Sequence, residues 1–155
     1  MVVDYSSLSD FSKVYIYPSG RKLYKDEVPE ISDKTEHFLN ELEGVDSFFE
    51  LKYQRFIIII VSEKTPLTLD QNDQLVGFIL ALENEYKISL LDRVNVCFKQ
   101  GEYVQLKEIP AFKKLIKNKG VSKNTIVFNH FINIKEEYEN VWEMPAAESW
   151  VSHMF

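Results

Sequence analysis

The sequence predicts an α+β protein with a ferredoxin-like βαββαβ core over about residues 10–100, followed by a hairpin–helix–strand–helix C-terminal extension. Two observations predict this class. Short apolar or alternating runs typical of strands are separated by longer segments in which apolar residues recur with helical spacing. In addition, 155 residues of which 45% are hydrophobic suffice for one core. We therefore expect a single domain over 1–155, with a sub-lobe over 101–155 as the alternative.

The first half of the core contains a strand, a helix and two further strands. Alternation over residues 13–17 predicts the first strand, because the Pro-Ser-Gly sequence that follows is typical of a turn. One face of the helix, which ends before Gly44, is formed by Ile31, Thr35, Phe38 and Leu42. Residues 47–53 and 55–63 are strand-like runs that meet near Gln54. Since the second run is apolar on both faces, we place it at the centre of a sheet.

A second helix over about 70–87 and a fourth strand complete the core. Thr68 and Asp70 are candidate N-caps of this helix. Its apolar stripe is predicted to contain Leu75, Val76, Ile79, Leu80, Leu82 and Tyr86. Residues 93–99 alternate strictly, which predicts the fourth strand. One side of that strand is formed by Asn95, Cys97 and Lys99.

The extension begins where Gln100-Gly101 turns the chain into the strand-like sequence EYVQL. A helix follows over about Pro110–Asn118, and Gly120 closes it. Residues 125–134, TIVFNHFINI, predict the next strand, and a short helix is expected from Pro145.

The predicted strand over 125–134 holds His130 and Asn129 in apolar surroundings. A buried polar group costs free energy unless it is hydrogen-bonded. Alternation places His130 on one face with Ile126, Phe128 and Ile132, if the strand runs that far. A neutral imidazole with one partner fits such a site, and the Asn129 amide can hold adjacent backbone. We expect structural roles for both residues, with a ligand-binding role as the alternative.

The glycines exclude several catalytic motifs. The five glycines are Gly20, Gly44, Gly77, Gly101 and Gly120, and no two are closer than 19 positions. A phosphate-binding P-loop, a dinucleotide-binding fingerprint and a nucleophile elbow each need glycines close together. None of these three sites can be formed by this chain.

Metal and cysteine chemistry find weak support in the sequence. Asp33, His37 and Glu41 share one helical face, but that face lies opposite the apolar stripe, where polar residues are expected in any case. We therefore predict no metal and no cofactor. Cys97 is the only cysteine, and a lone cysteine in a strand is usually a small buried hydrophobe. The alternative is a nucleophile whose pKa Lys99 lowers.

Charge is distributed unevenly along the chain. The net charge of −6 argues against general nucleic-acid affinity, yet residues 109–135 contain six lysines and no Asp or Glu. Five of these lysines, which we call the lysine face, are Lys113, Lys114, Lys117, Lys119 and Lys123. They are either an ordinary solvated helix end or a binding surface for phosphate, RNA or an acidic protein. A head-to-tail contact with the acidic region 26–50 of a second copy is a further alternative.

The C-terminal region is aromatic, with Trp142 and Trp150 among apolar neighbours. Such a tail either docks back onto its own core or anchors a partner. The N-terminus has no basic and apolar segments of a signal peptide, and the longest purely apolar run, 56–61, is far shorter than the ~20 residues of a membrane helix. We expect a cytoplasmic protein without membrane contact.

Five segments together resemble a family of small uncharacterised Bacteroidota proteins of similar length: SKVYIYPSGRKL, YQRFIIIIVSE, LLDRVNVCFKQGEY, VSKNTIVFNHF and WEMPAAESW. Members are often labelled "ABC transporter ATPase", a label that the missing P-loop does not support. The family has a Ser-Gly-Cys-Ser-Ile-Asp stretch where this chain has Thr65–Gln71, and usually a second asparagine in place of His130. The resemblance implies no activity, substrate or site.

These observations favour a non-catalytic protein that works through a protein partner or self-association. One alternative is a small-ligand-binding protein or enzyme with a pocket near Asn129, His130 and Cys97. A weaker alternative is the binding of RNA or another polyanion at Lys113–Lys123. We expect no DNA binding.

Overall fold

The computed structural model describes residues 1–155 and divides the chain into two compact units. Unit 1 contains residues 1–91 and 133–136, and unit 2 contains residues 92–132 and 137–155. Four α-helices and two antiparallel sheets confirm the predicted α+β class. No helix combines the length and the apolar character needed to cross a membrane.

Unit 1 is a three-stranded antiparallel sheet with two helices. Its elements are β1 (Lys13–Pro18), α1 (Glu27–Glu41), β2 (Ser47–Lys52), β3 (Phe56–Val61) and α2 (Leu69–Tyr86). The strand order is β1-β3-β2, so β3 is central, as its apolar sequence predicted. The predicted N-cap of α2 is confirmed, because Thr68 Oγ1 accepts a hydrogen bond from the Gln71 N–H in a capping box.

The turn between β2 and β3 lies where the two strand-like runs were predicted to meet. The connection between the paired residues Lys52 and Phe56 is three residues long, and two of them, Tyr53 and Gln54, have positive φ, 60° and 51°. The Leu23 N–H donates to the Gln54 carbonyl at 2.7 Å, and Gln54 Nε2 donates back to the Leu23 carbonyl at 3.2 Å. These two bonds hold the turn in a conformation that neither residue type favours.

Both faces of β3 are covered. All six of its residues are at most 1% exposed. On one face, Ile57, Ile59 and Val61 pack in a core with apolar residues of the two helices: Ile31, Leu39, Leu75, Ile79 and Leu82. On the other face, Phe48 of β2 lies opposite Ile60. The ring of Tyr5 packs edge-on against Phe48 at 5.2 Å, so the N-terminal segment helps to cover this second face.

The complete ferredoxin-like strand order is not confirmed. Its fourth strand would lie beside β1, but β4 (Val96–Gln100) pairs with β5 and β6 in a second sheet. The edge of β1 is bridged instead by residues 133–136. The Val14 N–H donates to the Asn133 carbonyl at 2.9 Å, and Lys13 forms an antiparallel bridge with Ile134.

Unit 2 is a four-stranded antiparallel sheet with the order β5-β4-β6-β7. Besides β4, its elements are β5 (Tyr103–Lys107), α3 (Ile109–Lys117), β6 (Ile126–Phe128) and β7 (Glu143–Pro145). The predicted helix at Pro110–Asn118 is confirmed as α3. Phe112 of α3 packs edge-on against Phe98 of β4 at 5.1 Å, which joins the helix to the sheet. The short α4 (Lys135–Asn140) was not predicted, because its six residues carry little apolar pattern.

Two predicted strands are shorter than expected because polar side chains bond to nearby backbone. The run over 125–134 is a strand only to Phe128, since Asn129 Oδ1 accepts a hydrogen bond from the Phe131 N–H at 2.9 Å. The run over 93–99 begins as a strand only at Val96, since Asp92 Oδ1 accepts one from the Val94 N–H at 2.9 Å. Such bonds compete with strand pairing.

The strict alternation over 93–99 is also not found, because Val96, Cys97 and Phe98 are all buried. The short helix expected from Pro145 is a 3-10 turn, Ala146–Glu148, which follows β7.

Lys135 is expected to stabilise the N-terminal segment of unit 1. Lys135 is 5% exposed as a residue. Its Nζ donates to the carbonyls of Tyr5 and Leu8 at 3.0 and 2.8 Å and lies 4.1 Å from the centre of the Tyr5 ring. In Lys135→Met the two carbonyls lose this donor, so the free energy of unfolding should fall by about 1–3 kcal/mol. Urea titration followed by circular dichroism measures it, and chymotrypsin should cleave near Tyr5 faster.

The matched control is Lys123→Met, which removes the same charge from an exposed site and should change stability by no more than about 0.5 kcal/mol. Equal stability of Lys135→Met and wild type would contradict the expected role of Lys135.

Candidate functional site

The lysine face of unit 2 is presented by α3 and the loop that follows it. Phe112 is fully buried, and Ile109, Leu115 and Ile116 pack against the same core. The opposite side of the helix carries Lys113, Lys114 and Lys117, all exposed. The apolar side of α3 therefore holds the helix against the core of unit 2. Because the helix has 3.6 residues per turn, Lys113, Lys114 and Lys117 then point into solvent.

The end of α3 extends the lysine face beyond the helix. Lys119 has a positive φ of 61°, and the N–H of Gly120 donates to the Leu115 carbonyl at 2.8 Å, the geometry of a Schellman-type C-cap. A turn then begins at Ser122, whose carbonyl accepts from the Thr125 N–H at 3.1 Å. Lys119 and Lys123 are exposed in this loop. Cations at the C-terminal end of a helix are stabilised by the helix dipole.

None of the five lysines forms an ion pair. In unit 2 the Lys99–Glu143 pair holds a lysine of β4 against β7, but the lysine face has no acidic neighbour of this kind. Unit 2 contains eight basic and seven acidic residues, whereas unit 1 contains ten basic and 17 acidic residues. The lysine face is thus a local concentration of unpaired positive charge in an acidic protein.

His130 and Asn129 lie in the turn that follows β6. The Asn129 N–H donates to the Trp142 carbonyl at 2.7 Å, and its side chain forms the turn with Phe131. His130 Nε2 is 2.7 Å from the Asn95 carbonyl oxygen. Since a carbonyl can only accept, Nε2 carries the hydrogen. Burial lowers the pKa of His130, against the opposing effect of this hydrogen bond. Both residues therefore fix the backbone of unit 2.

Cys97 is fully buried in the middle of β4. A thiol with no exposed surface cannot meet a substrate without local opening of the sheet. Asn129 and His130 form their hydrogen bonds with backbone groups of Phe131, Trp142 and Asn95. One cavity of unit 1, about 340 Å³ in volume, is lined by other residues: Val3, Ser7, Leu8, Ser9, Asp46, Ser62 and Lys64.

The two tryptophans occupy different positions in unit 2. Trp142 is buried, with its ring 4.8 Å from that of Phe128 and 5.0 Å from that of Tyr138. Trp150 is half-buried; its Nε1 donates to the Phe128 carbonyl at 3.3 Å, and its ring lies 5.3 Å from His130. The C-terminal segment thus packs against its own unit, and Trp142 offers no surface to a partner.

The helical constellation of Asp33, His37 and Glu41 lies on the exposed side of α1. His37 Nε2 and Glu41 Oε1 are 3.1 Å apart, a surface contact between residues one turn apart. No group of three or more His, Cys, Asp or Glu residues is arranged to hold a metal ion.

Two apolar residues of α2, Val76 and Leu80, are more exposed than the sequence predicted. Val76 and Leu80 were predicted to widen the buried stripe, but both are about half exposed. The sequence did contain an indication of this exposure. The six apolar positions predicted for the stripe of α2 cover more of the helix circumference than one buried face requires.

We expect His130 to make stability depend on pH. Unfolded His130 takes up a proton near its ordinary pKa of 6.5, whereas the folded residue does so only at lower pH, because its pKa is lowered. Protonation therefore favours the unfolded chain as pH falls below 6.5. In His130→Asn this part of the pH dependence should vanish, as measured by melting temperatures between about pH 7.5 and about pH 5, which lie on either side of 6.5.

His153→Asn is the matched control, because His153 is exposed and its substitution should leave the wild-type pH dependence in place. Parallel pH profiles for His130→Asn and wild type would count against a lowered pKa.

Comparison with protein-family models, with curated proteins and with solved structures finds no match. The resemblance to small Bacteroidota proteins accordingly stays an expectation from the sequence.

Proposed function

We propose that this is a non-catalytic cytoplasmic protein that works through protein contacts, and that the lysine face docks an acidic surface of a partner protein. The observation that carries the proposal is the set of five exposed lysines without ion pairs, on a helix fixed from its other side. A rigid helix loses little conformational freedom of its backbone on binding, which favours its use as a docking element.

The charge balance favours a protein partner over a nucleic acid. The chain as a whole carries −6, so a long polyanion would be repelled by most of its surface. Stacking platforms for bases are also missing among the lysines, since residues 113–123 contain no aromatic side chain. A short acidic segment of a protein can approach the lysine face without meeting the acidic remainder.

The contacts of the candidate catalytic residues support a non-catalytic role. Cys97 has no exposed surface. Asn129 Oδ1 accepts a hydrogen bond from the Phe131 N–H, and His130 Nε2 donates one to the Asn95 carbonyl. A nucleophile and a base within hydrogen-bond reach of each other, in a cleft, are what covalent catalysis requires. Cys97 is fully buried within β4 and so does not lie in such a cleft.

The proposal predicts salt-sensitive binding of an acidic peptide. A polyglutamate peptide should bind wild type, and Lys113→Glu/Lys117→Glu should weaken this binding about tenfold or more, equivalent to about 1.4 kcal/mol. The control Lys25→Glu/Lys64→Glu makes the same charge change at exposed lysines of unit 1 and should have little effect. Fluorescence anisotropy at low and physiological salt measures the affinities.

An oligouridylate of equal charge distinguishes the competing interpretation. Tighter binding of the RNA than of polyglutamate would favour a polyanion site and contradict the proposal. Equal loss of peptide binding in the control variant would show that net charge, and not the lysine face, is responsible.

A further inference from the structure

Another cavity of unit 1, about 280 Å³ in volume, lies where the sheet ends and α2 begins. Its buried lining residue is Val61, the last residue of β3, which belongs to the core beneath the helices. Lys13 pairs with Val61, and Tyr15 follows Lys13 by two positions on β1, so both side chains lie on the same face of the sheet as Val61. Leu67, the residue before the N-cap of α2, also lines the cavity.

The elements around this cavity are fixed by their own contacts. The Tyr15 hydroxyl lies 3.5 Å from Asn72 Oδ1, which brings β1 and the first turns of α2 together. Asn72 Nδ2 donates to the Thr68 carbonyl at 3.2 Å, and the capping box of Thr68 fixes the start of the helix. A ligand can therefore bind without paying for the ordering of these elements.

Two opposite charges line the cavity without pairing. Lys13 Nζ lies 5.0 Å from the centre of the Tyr15 ring, and no carboxylate forms an ion pair with it. Glu63 Oε1 accepts a hydrogen bond from the Ser9 hydroxyl at 2.7 Å. An ammonium has three donors and a carboxylate two acceptor oxygens, so both groups keep binding capacity. They are complementary to a small ligand that carries both charges itself.

The rest of the lining sets the size and the polarity of that ligand. Phe11 is 67% exposed, and it lines the cavity together with Pro66 and Leu67. A ligand side chain that covers this apolar surface gains free energy by removing it from water. The volume is just below the about 300–1,000 Å³ of sites for drug-sized ligands, so the cavity fits a single amino acid and not a peptide.

We infer that this cavity binds a free amino acid with a large apolar side chain. Lys13 binds the ligand carboxylate, Glu63 binds its α-ammonium, and Phe11 and Leu67 contact its side chain. The site lies wholly within unit 1 and the lysine face within unit 2, so the inference is independent of the proposed docking function.

Nuclear magnetic resonance titration with L-phenylalanine tests the site. The amide signals of Lys13 and Asn72 should shift as the amino acid reaches millimolar concentration. Phenylpropionate lacks the ammonium and phenylethylamine lacks the carboxylate, so each should bind about tenfold or more weakly than L-phenylalanine, because each leaves one charge of the cavity unpaired. L-alanine should also bind more weakly, since it does not reach the apolar lining.

Two variants assign the charges. Lys13→Met should remove the advantage of L-phenylalanine over phenylethylamine, and Glu63→Gln should remove its advantage over phenylpropionate. Each should weaken L-phenylalanine binding about tenfold, equivalent to about 1.4 kcal/mol. The matched controls Lys25→Met and Glu36→Gln make the same charge changes at exposed residues of unit 1 outside the cavity and should bind like wild type.

Three outcomes would overturn the inference. The first is a wild type whose signals do not respond to L-phenylalanine. The second is binding of phenylpropionate, phenylethylamine or L-alanine as tight as that of L-phenylalanine. The third is unchanged affinity in both Lys13→Met and Glu63→Gln, or an equal loss in the two controls, with circular dichroism spectra like that of wild type.

Discussion

The burial of β3 on both faces is the constraint on which unit 1 depends. Six consecutive apolar residues, Phe56–Val61, alternate between two faces of the sheet, so neither face can be left to water. The helices α1 and α2 cover one face. The N-terminal segment contributes to the cover of the other face through Tyr5, whose ring packs against Phe48. Lys135 holds that segment although it is 130 residues away from Tyr5 along the chain. A charged side chain is tolerated in this buried place because carbonyl oxygens and an aromatic face surround its ammonium.

Local patterns predicted most helices and strands, because the interactions that define them lie within a few residues. The capping box of Thr68 and Gln71 is one example, and the central position of β3 is another. Local patterns did not predict which strands pair with each other. The ferredoxin-like order predicted β4 beside β1, but residues 133–136 lie there, because periodicity identifies a strand without indicating its partner. Single side-chain hydrogen bonds limit the lengths of two strands: the bond of Asn129 follows the end of β6, and the bond of Asp92 precedes the start of β4. The two-residue period of a strand sequence does not indicate such bonds.

Among the candidate sites, too, the sequence predicted features that depend on local patterns and missed those that depend on distant contacts. The excess of lysines without Asp or Glu over residues 109–135 located the lysine face from the sequence alone. The hydrogen bond of His130 to Asn95 joins residues 35 positions apart, and nothing in either segment indicates the other. For α2, the sequence revealed an excess of apolar residues but not which of them the chain itself would cover. Val76 and Leu80 were assigned to the core, since a sequence pattern cannot distinguish a residue buried by its own chain from one left exposed.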